Sequence, residues 1–217
     1  LLLGCVRNVV GKHGKVERGA WDFNPVEKLW RMAGRTLGLI GLGNIGRSVA
    51  RKMNGWGLRL LAADPYVDPS LAEALGVKLA DLDTVWREAD YLSLHVPLLP
   101  ETRHLIGARE LASMKPSAIL INTARGPVLD TQALLAALEE GRLAQAGLDV
   151  FEEEPVPLDS PLRRHPRVIL SDHVAWYSEE SQVEIQITAE TFSYARDSAA
   201  IASDAGLDGV YVLHTSL

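Results

Sequence analysis

Leu37-Gly38-Leu39-Ile40-Gly41-Leu42-Gly43-Asn44-Ile45-Gly46 is the stretch that decides the fold, together with the run that continues to Asp64. The apolar segment 37–42 has the length and the bounding glycines of a buried strand. Behind the Gly41-x-Gly43-x-x-Gly46 turn, Val49, Ala50 and Met53 recur at helical spacing, and a second apolar segment, 58–63, stops at Asp64. Strand, glycine turn, helix, strand and acid, in that order, make the setting in which a dinucleotide-binding fingerprint has physical meaning.

Each residue type there has a task. Gly41 permits the tight turn, Gly43 lacks a Cβ and lets the backbone approach a pyrophosphate, and Gly46 lets the helix pack against the strand. The helix N-terminus adds unpaired N–H groups and partial positive charge for the phosphates. Asp64 follows Gly46 by 18 residues, where a carboxylate can accept the ribose hydroxyls of adenosine and repel a 2′-phosphate. NAD is therefore expected over NADP. A G-x-G-x-x-G alone is equally a glycine-rich helix start; the two strands and the acid favour the cofactor.

Working outward, the 217 residues carry 47% hydrophobic side chains and a formal charge of −6. That suits a globular protein with a sizeable core and leaves no electrostatic footprint for nucleic acid. No apolar run approaches the roughly 20 residues of a membrane span. One cysteine, Cys5, allows no internal disulfide and fits a reducing, cytoplasmic setting. The opening residues look like the middle of a helix, and the first is not methionine, so the natural N-terminus is expected upstream.

Residues 1–13 read as one apolar helix with basic character at its end, and 14–35 as a connector holding Trp21, Phe23 and Trp30, either a packing cluster or an oligomer contact. Short helices at 70–75, 81–88 and 107–114 alternate with strands at 77–79, 91–96 and 118–122. A longer helix spans 130–140, with Asp130 as N-cap and Gly141 as C-cap. Strands at 146–150 and 167–171 follow, and a polar amphipathic helix starts near Ser178. This alternation predicts a doubly wound parallel sheet in three layers, with ligands at the carboxyl ends of the strands. The expected organisation is a cofactor domain over 1–177, and a crossover helix with a divergent tail over 178–217.

Three positions just past strands carry candidate chemistry. Arg125, in Asn122-Thr-Ala-Arg-Gly126, could grip a planar carboxylate through its bidentate fork, or pair with a surface acid. Asp149-Val-Phe-Glu-Glu-Glu154-Pro155 brings a glutamate run that by itself reads as a solvated loop. His173, in Ser171-Asp-His-Val-Ala-Trp176, has an ordinary pKa suited to proton transfer near neutrality, which a carboxylate partner would raise. His95 ends a strand and reads as a packed residue beside the cofactor. No histidine pairs with another, or with Cys5, at metal-ligand spacing, so no metal is expected. A serine hydrolase lacks its G-x-S-x-G.

Taken together, Gly41–Gly46, Asp64, Asn122–Gly126, Asp149–Pro155 and His173-Val-Ala-Trp176 resemble, in order and spacing, the D-isomer-specific 2-hydroxyacid dehydrogenases over about residues 1–192. The resemblance implies a Rossmann-type fold and NAD as cofactor. It implies that Arg125 holds the substrate carboxylate and carbonyl oxygen, that His173 exchanges the proton with that oxygen, and that Glu154 hydrogen-bonds His173. It further implies a cofactor lining of Asn44, Ile45, His95, Val96, Pro97, Thr102, Thr123, Ala124, Asp149 and Ala175, besides the glycines, Asp64, Arg125 and His173. The solvated-loop reading then stands for Glu152 and Glu153 only.

The segment from His173 is similar to the branch of C-terminal-binding protein corepressors and phosphoglycerate-dehydrogenase-like enzymes, where a tryptophan at the place of Trp176 faces substrate. Packing at a hinge is its other reading. The expected activity is hydride exchange between nicotinamide and a small D-2-hydroxy or 2-keto acid, in a homodimer joined through the cofactor domain. An NAD-responsive corepressor-like module and an inactive truncated relic are the alternatives. Family members carry a substrate domain built from a preceding segment that is missing here, so poor turnover is expected of this chain. Asp172 stands where proline is common, and 206–213 looks like a transposase fragment, suggesting a fusion or frame disruption.

Overall fold

The computed structural model describes residues 1–21, 29–179 and 181. The chain divides into two compact units, Leu1–Asp172 and His173–Leu217.

In the first unit seven strands form one sheet: β1 Thr36–Ile40, β2 Arg59–Ala63, β3 Val77–Leu79, β4 Tyr91–Leu94, β5 Ile119–Asn122, β6 Gln145–Leu148 and β7 Val168–Leu170. Their order is β3-β2-β1-β4-β5-β6-β7, and every pairing is parallel. β1, β4 and β5 are buried throughout, as expected of strands covered on both faces. The chain winds outward from β1 to β3, then returns to the other side of β1 as β4. Strand order thus reverses between β1 and β4, where doubly wound sheets open a crevice at their carboxyl edge.

The helices are α1 Leu2–Val6, α2 Val9–Glu17, α3 Asn44–Met53, α4 Pro69–Ala74, α5 Leu82–Glu88, α6 Ala108–Ser113 and α7 Thr131–Glu139. Trp86 of α5, Leu111 of α6 and Leu134 and Leu138 of α7 pack in one core with Leu92, Leu94 and Leu120 of the sheet. Cys5 and Val6 of α1, Ala50 of α3 and Ala72 of α4 pack in the other with Leu37, Leu39 and Ile121. The result is a three-layer Rossmann-type α/β unit. Burial pushes the Cys5 thiol up to about 11, so it stays protonated and behaves as a small core residue.

Local chemistry sets the boundaries. Asp68, Asp81 and Asp130 accept the N–H groups of Ser70, Thr84 and Ala133 at the starts of α4, α5 and α7. Gly76 and Gly141, with φ of +69° and +70°, stop the chain after α4 and α7; the α7 C-cap itself is Glu140, one residue before the glycine expected there. The single helix expected over 1–13 is instead two. Asn8 takes a left-handed φ of 47° between α1 and α2, a conformation its short polar side chain tolerates. α2 then runs to Glu17, into the expected connector. Phe23 lies outside the described residues, as does the chain from 182 on, including the 206–213 segment.

In the second unit the Ser178 hydroxyl accepts the Ser181 N–H at 3.1 Å, the bond of a helix N-cap.

Candidate active site

The glycine turn is built by close contact. A Cβ on Gly46 would stand 2.3 Å from the Gly41 carbonyl oxygen, so α3 seats on the turn only because that atom is absent. Gly41 has a φ of +91°, and a Cβ there would meet the His95 carbonyl at 2.7 Å. Gly43 differs: a Cβ would meet nothing within 4 Å. Its α-carbon faces open space, as a backbone approached by a pyrophosphate requires.

That space belongs to a cleft of about 530 Å³ at the reversal point of the sheet, within the range of cofactor pockets. Gly41, Gly43, Asp64, Val96, Pro97 and Thr102 line it, and so does His95. Tyr66, Asp81 and Glu101, which sequence reasoning had not marked, join them. Among the described residues the lining holds three carboxylates and no lysine or arginine, a surface hostile to an additional phosphate. Asn44 and Ile45 open α3 beside the cleft, and Gly46 serves from beneath the turn.

Asp64 is already engaged. Its Oδ2 accepts the Leu42 N–H at 2.7 Å, and its Oδ1 accepts the N–H groups of Tyr66 and Val67 at 2.8 and 3.2 Å. A carboxylate offers about four lone-pair sites. Most are therefore spent tying the glycine turn to the turn after β2, which leaves fewer for ribose hydroxyls than an unencumbered carboxylate would offer. His95 is half-buried, yet its Nε2 is sealed from solvent and has no hydrogen-bond partner among the described residues. Burial pushes its pKa down to about 4, so the ring is neutral at neutral pH. A buried polar atom without a partner at the wall of a cleft fits a site completed by a ligand.

The loops after β5 and β6 stand along the same edge. Asn122 is fully buried; its Oδ1 accepts the Ala124 N–H, and its Nδ2 donates to the Arg125 carbonyl, both at 3.0 Å. The Asx turn so formed presents Thr123, Ala124 and Arg125. The Arg125 guanidinium is exposed, donates to the Ala124 carbonyl at 2.7 Å, and forms no ion pair among the described residues. Gly126 is obligatory, since a Cβ would lie 1.8 Å from the Phe151 carbonyl oxygen. That contact sets the Arg125 loop directly on the loop bearing Glu154, whose Oε1 accepts the Phe151 N–H at 2.8 Å. Asp149 is buried at the end of β6 and accepts the Ser171 hydroxyl at 2.6 Å. Asn122 and Gly126 bounded a motif in the sequence without roles of their own, and Ser171 had none; Asn122 carried the signal of an Asx-turn former directly after a buried strand.

Glu152 is exposed, as a solvated loop predicts, yet it is partnered on both oxygens. Its Oε1 lies 2.6 Å from His104 Nε2, and its Oε2 accepts the Thr131 N–H at 2.9 Å. Partial burial alone would raise its pKa, but the hydrogen bonds from Thr131 and His104 hold it below the ordinary carboxylate range. Glu153 stays exposed.

His173, Ala175 and Trp176 belong to the second unit. His173 takes a φ of 60°, and its carbonyl accepts the Trp176 indole N–H at 2.9 Å. The Trp176 and Tyr177 rings meet edge-on at 5.7 Å and 88°.

Comparison with known proteins matches this architecture. Residues 1–175 match the family model described as D-isomer specific 2-hydroxyacid dehydrogenase, NAD binding domain. A glyoxylate reductase of Korarchaeum cryptofilum is 44% identical over 185 residues, covering 84% of this chain and 56% of that protein. A D-3-phosphoglycerate dehydrogenase of Methanocaldococcus jannaschii is 42% identical over 84% of this chain and 34% of its own length. The crystal structure of D-lactate dehydrogenase with NAD+ from Lactobacillus jensenii superposes with a TM-score of 0.76 at 32% identity, over 88% of this chain and 63% of that one. The chain thus spans about half or less of the curated relatives it matches. With most of its length accounted for by sequence model and by fold, the chain belongs to the D-isomer specific 2-hydroxyacid dehydrogenases, as their NAD binding domain.

Proposed function

We propose that the cleft between β1 and β4 binds NAD, and that the complete protein uses it to interconvert a small D-2-hydroxy acid and its 2-keto acid. The observation that carries this reading is one sheet edge bearing the Gly43 opening and Asp64 together with Arg125 and Glu154 on adjacent loops. Asp64 receives ribose, with Asp81 and Glu101 adding charge against a 2′-phosphate. When bound, NAD supplies the hydride acceptor, and its reduced form the donor. Arg125 holds the substrate carboxylate in a bidentate fork and polarises the carbonyl oxygen. His173 delivers the proton to that oxygen during reduction and withdraws it during oxidation. Glu154 keeps the imidazole oriented and protonated when the proton is due, Asp149 lies towards the nicotinamide, and Trp176 faces the substrate.

The same reading places the protein in the cytoplasm and in a homodimer joined through this domain. The exposed apolar side chains Val9, Val10 and Val16 of α2 and Trp21 support the contact; light scattering of the purified chain tests it.

Fluorescence titration with NADH and NADPH tests the cofactor. We expect NADH to bind at least tenfold more tightly, about 1.4 kcal/mol; equal affinities or a preference for NADPH would overturn it. A panel of glyoxylate, hydroxypyruvate and pyruvate with the complete protein tests the activity. Turnover should vanish in Arg125→Gln and in His173→Ala, with NADH binding retained in the histidine variant.

A further inference from the structure

Three loops meet at the carboxyl edge without sharing a strand. The first, after β4, carries Thr102, whose hydroxyl donates to the Pro97 carbonyl at 2.6 Å and accepts the Leu99 N–H at 2.7 Å, shaping one wall of the cleft. The second, after β5, carries Arg125. The third, after β6, carries Glu154. Their backbones are already laced: His104 and Ile106 donate to the carbonyls of Pro127 and Val128 at 2.8 and 3.1 Å, and Asp130 donates back to Ile106 at 2.9 Å.

One side chain reaches from the third loop to the first and to the start of α7, where the second ends. Glu152 stands two residues before Glu154 and grips His104, two residues beyond Thr102, while its other oxygen takes the first free N–H of α7. His104 is held in a left-handed conformation, φ 50°, where its ring meets this carboxylate. We propose that Glu152, through His104 and Thr131, is a positioning residue that locks the cofactor-wall loop to the loops bearing Arg125 and Glu154.

The pair's exposure separates this role from simple stabilisation. The His104 and Glu152 side chains remain 40% and 29% exposed, and ion pairs this open to water add little to overall stability. Their effect should therefore appear as loop placement, and small misplacements of positioning groups are costly to binding.

The inference rests on the cleft being the NAD site, and the test keeps the two apart. Melting temperature and NADH affinity by fluorescence are measured on the 217-residue chain and on Glu152→Ala, Glu152→Gln, His104→Ala and the Glu152→Ala/His104→Ala double variant. We expect Glu152→Ala and His104→Ala each to weaken NADH binding about fivefold, with little change in melting temperature. The double variant should be no worse than either single one, the mark of one shared interaction. Glu152→Gln keeps an acceptor for the Thr131 N–H and should recover affinity to within about twofold. Glu152→Ala binding NADH like the unaltered chain, single losses that multiply in the double variant, or losses that only track melting would each overturn the inference. Failure of the unaltered chain to bind NADH would overturn the cofactor site, and the inference with it.

Discussion

The two edges of the sheet handle charge in opposite ways. At the amino edge, Asp90 stands before β4 and accepts from Arg35 at 2.9 Å, from the Thr36 N–H at 2.9 Å and from Lys115 at 3.1 Å; Arg35 also lies 4.6 Å over the Trp30 ring. Its carboxylate is answered from three directions by groups of the fold itself. At the carboxyl edge, an imidazole nitrogen is sealed away unpaired, a glycine faces open space, and a guanidinium stands exposed. One edge spends its charges on the fold, while the other, though Asp64 and Asn122 tie its turns, leaves the His95 nitrogen without a partner among the described residues and the Arg125 guanidinium exposed.

That contrast can be broken or sharpened by substitution. The largest effect should be Asp90→Ala, which leaves Arg35 and Lys115 facing a gap. We expect a loss of about 3 kcal/mol of stability in denaturant melts, with NADH affinity unchanged; weakened binding would show that the two edges are coupled.

Next comes His95. Its folded pKa of about 4 lies below the 6.5 of a free histidine. The native ring stays neutral while the unfolded chain takes up a proton as the pH falls through 6.5, so this contribution is present above that value and is lost towards pH 4. Between pH 7 and pH 5 the loss should reach up to about 2 kcal/mol. His95→Gln should show a correspondingly shallower decline, and identical declines would refute the sealed, neutral ring. Smallest in free energy is Gly43→Ala, because its Cβ meets nothing. Stability should hold within about 0.5 kcal/mol, while NADH affinity should fall at least tenfold, about 1.4 kcal/mol. Unchanged affinity would place the pyrophosphate elsewhere.

Much of this was readable beforehand, for local reasons. β3 matches its expected span, and the other strands stop within two residues of theirs, because buried runs between glycines, prolines and capping aspartates carry their own punctuation. Gly41, Gly43, Gly46 and Asp64 were readable because one turn and two strands hold them within a single stretch. The break at Asn8 was not, since an asparagine in a short apolar helix announces nothing until its backbone turns left-handed. The contacts of Glu152 were hidden for a different reason. Its partner His104 lies 48 residues away, and a glutamate in an acidic run looks solvated until the loops are assembled. Gly126 likewise reveals its necessity only against Phe151, and Ser171 only against Asp149. Asp64 was read for its charge, while the three amides it gathers are a property of the assembled turn.

The seat of α1 carries a consequence for how the molecule is made. Gly147 in β6 lacks the Cβ that would stand 3.1 Å from Cys5 Sγ and 3.3 Å from Leu1 Cβ, so the first helix lies over strands translated long after it. Completion of its core must wait for β5 and β6, a long-range closure of the kind that slows folding.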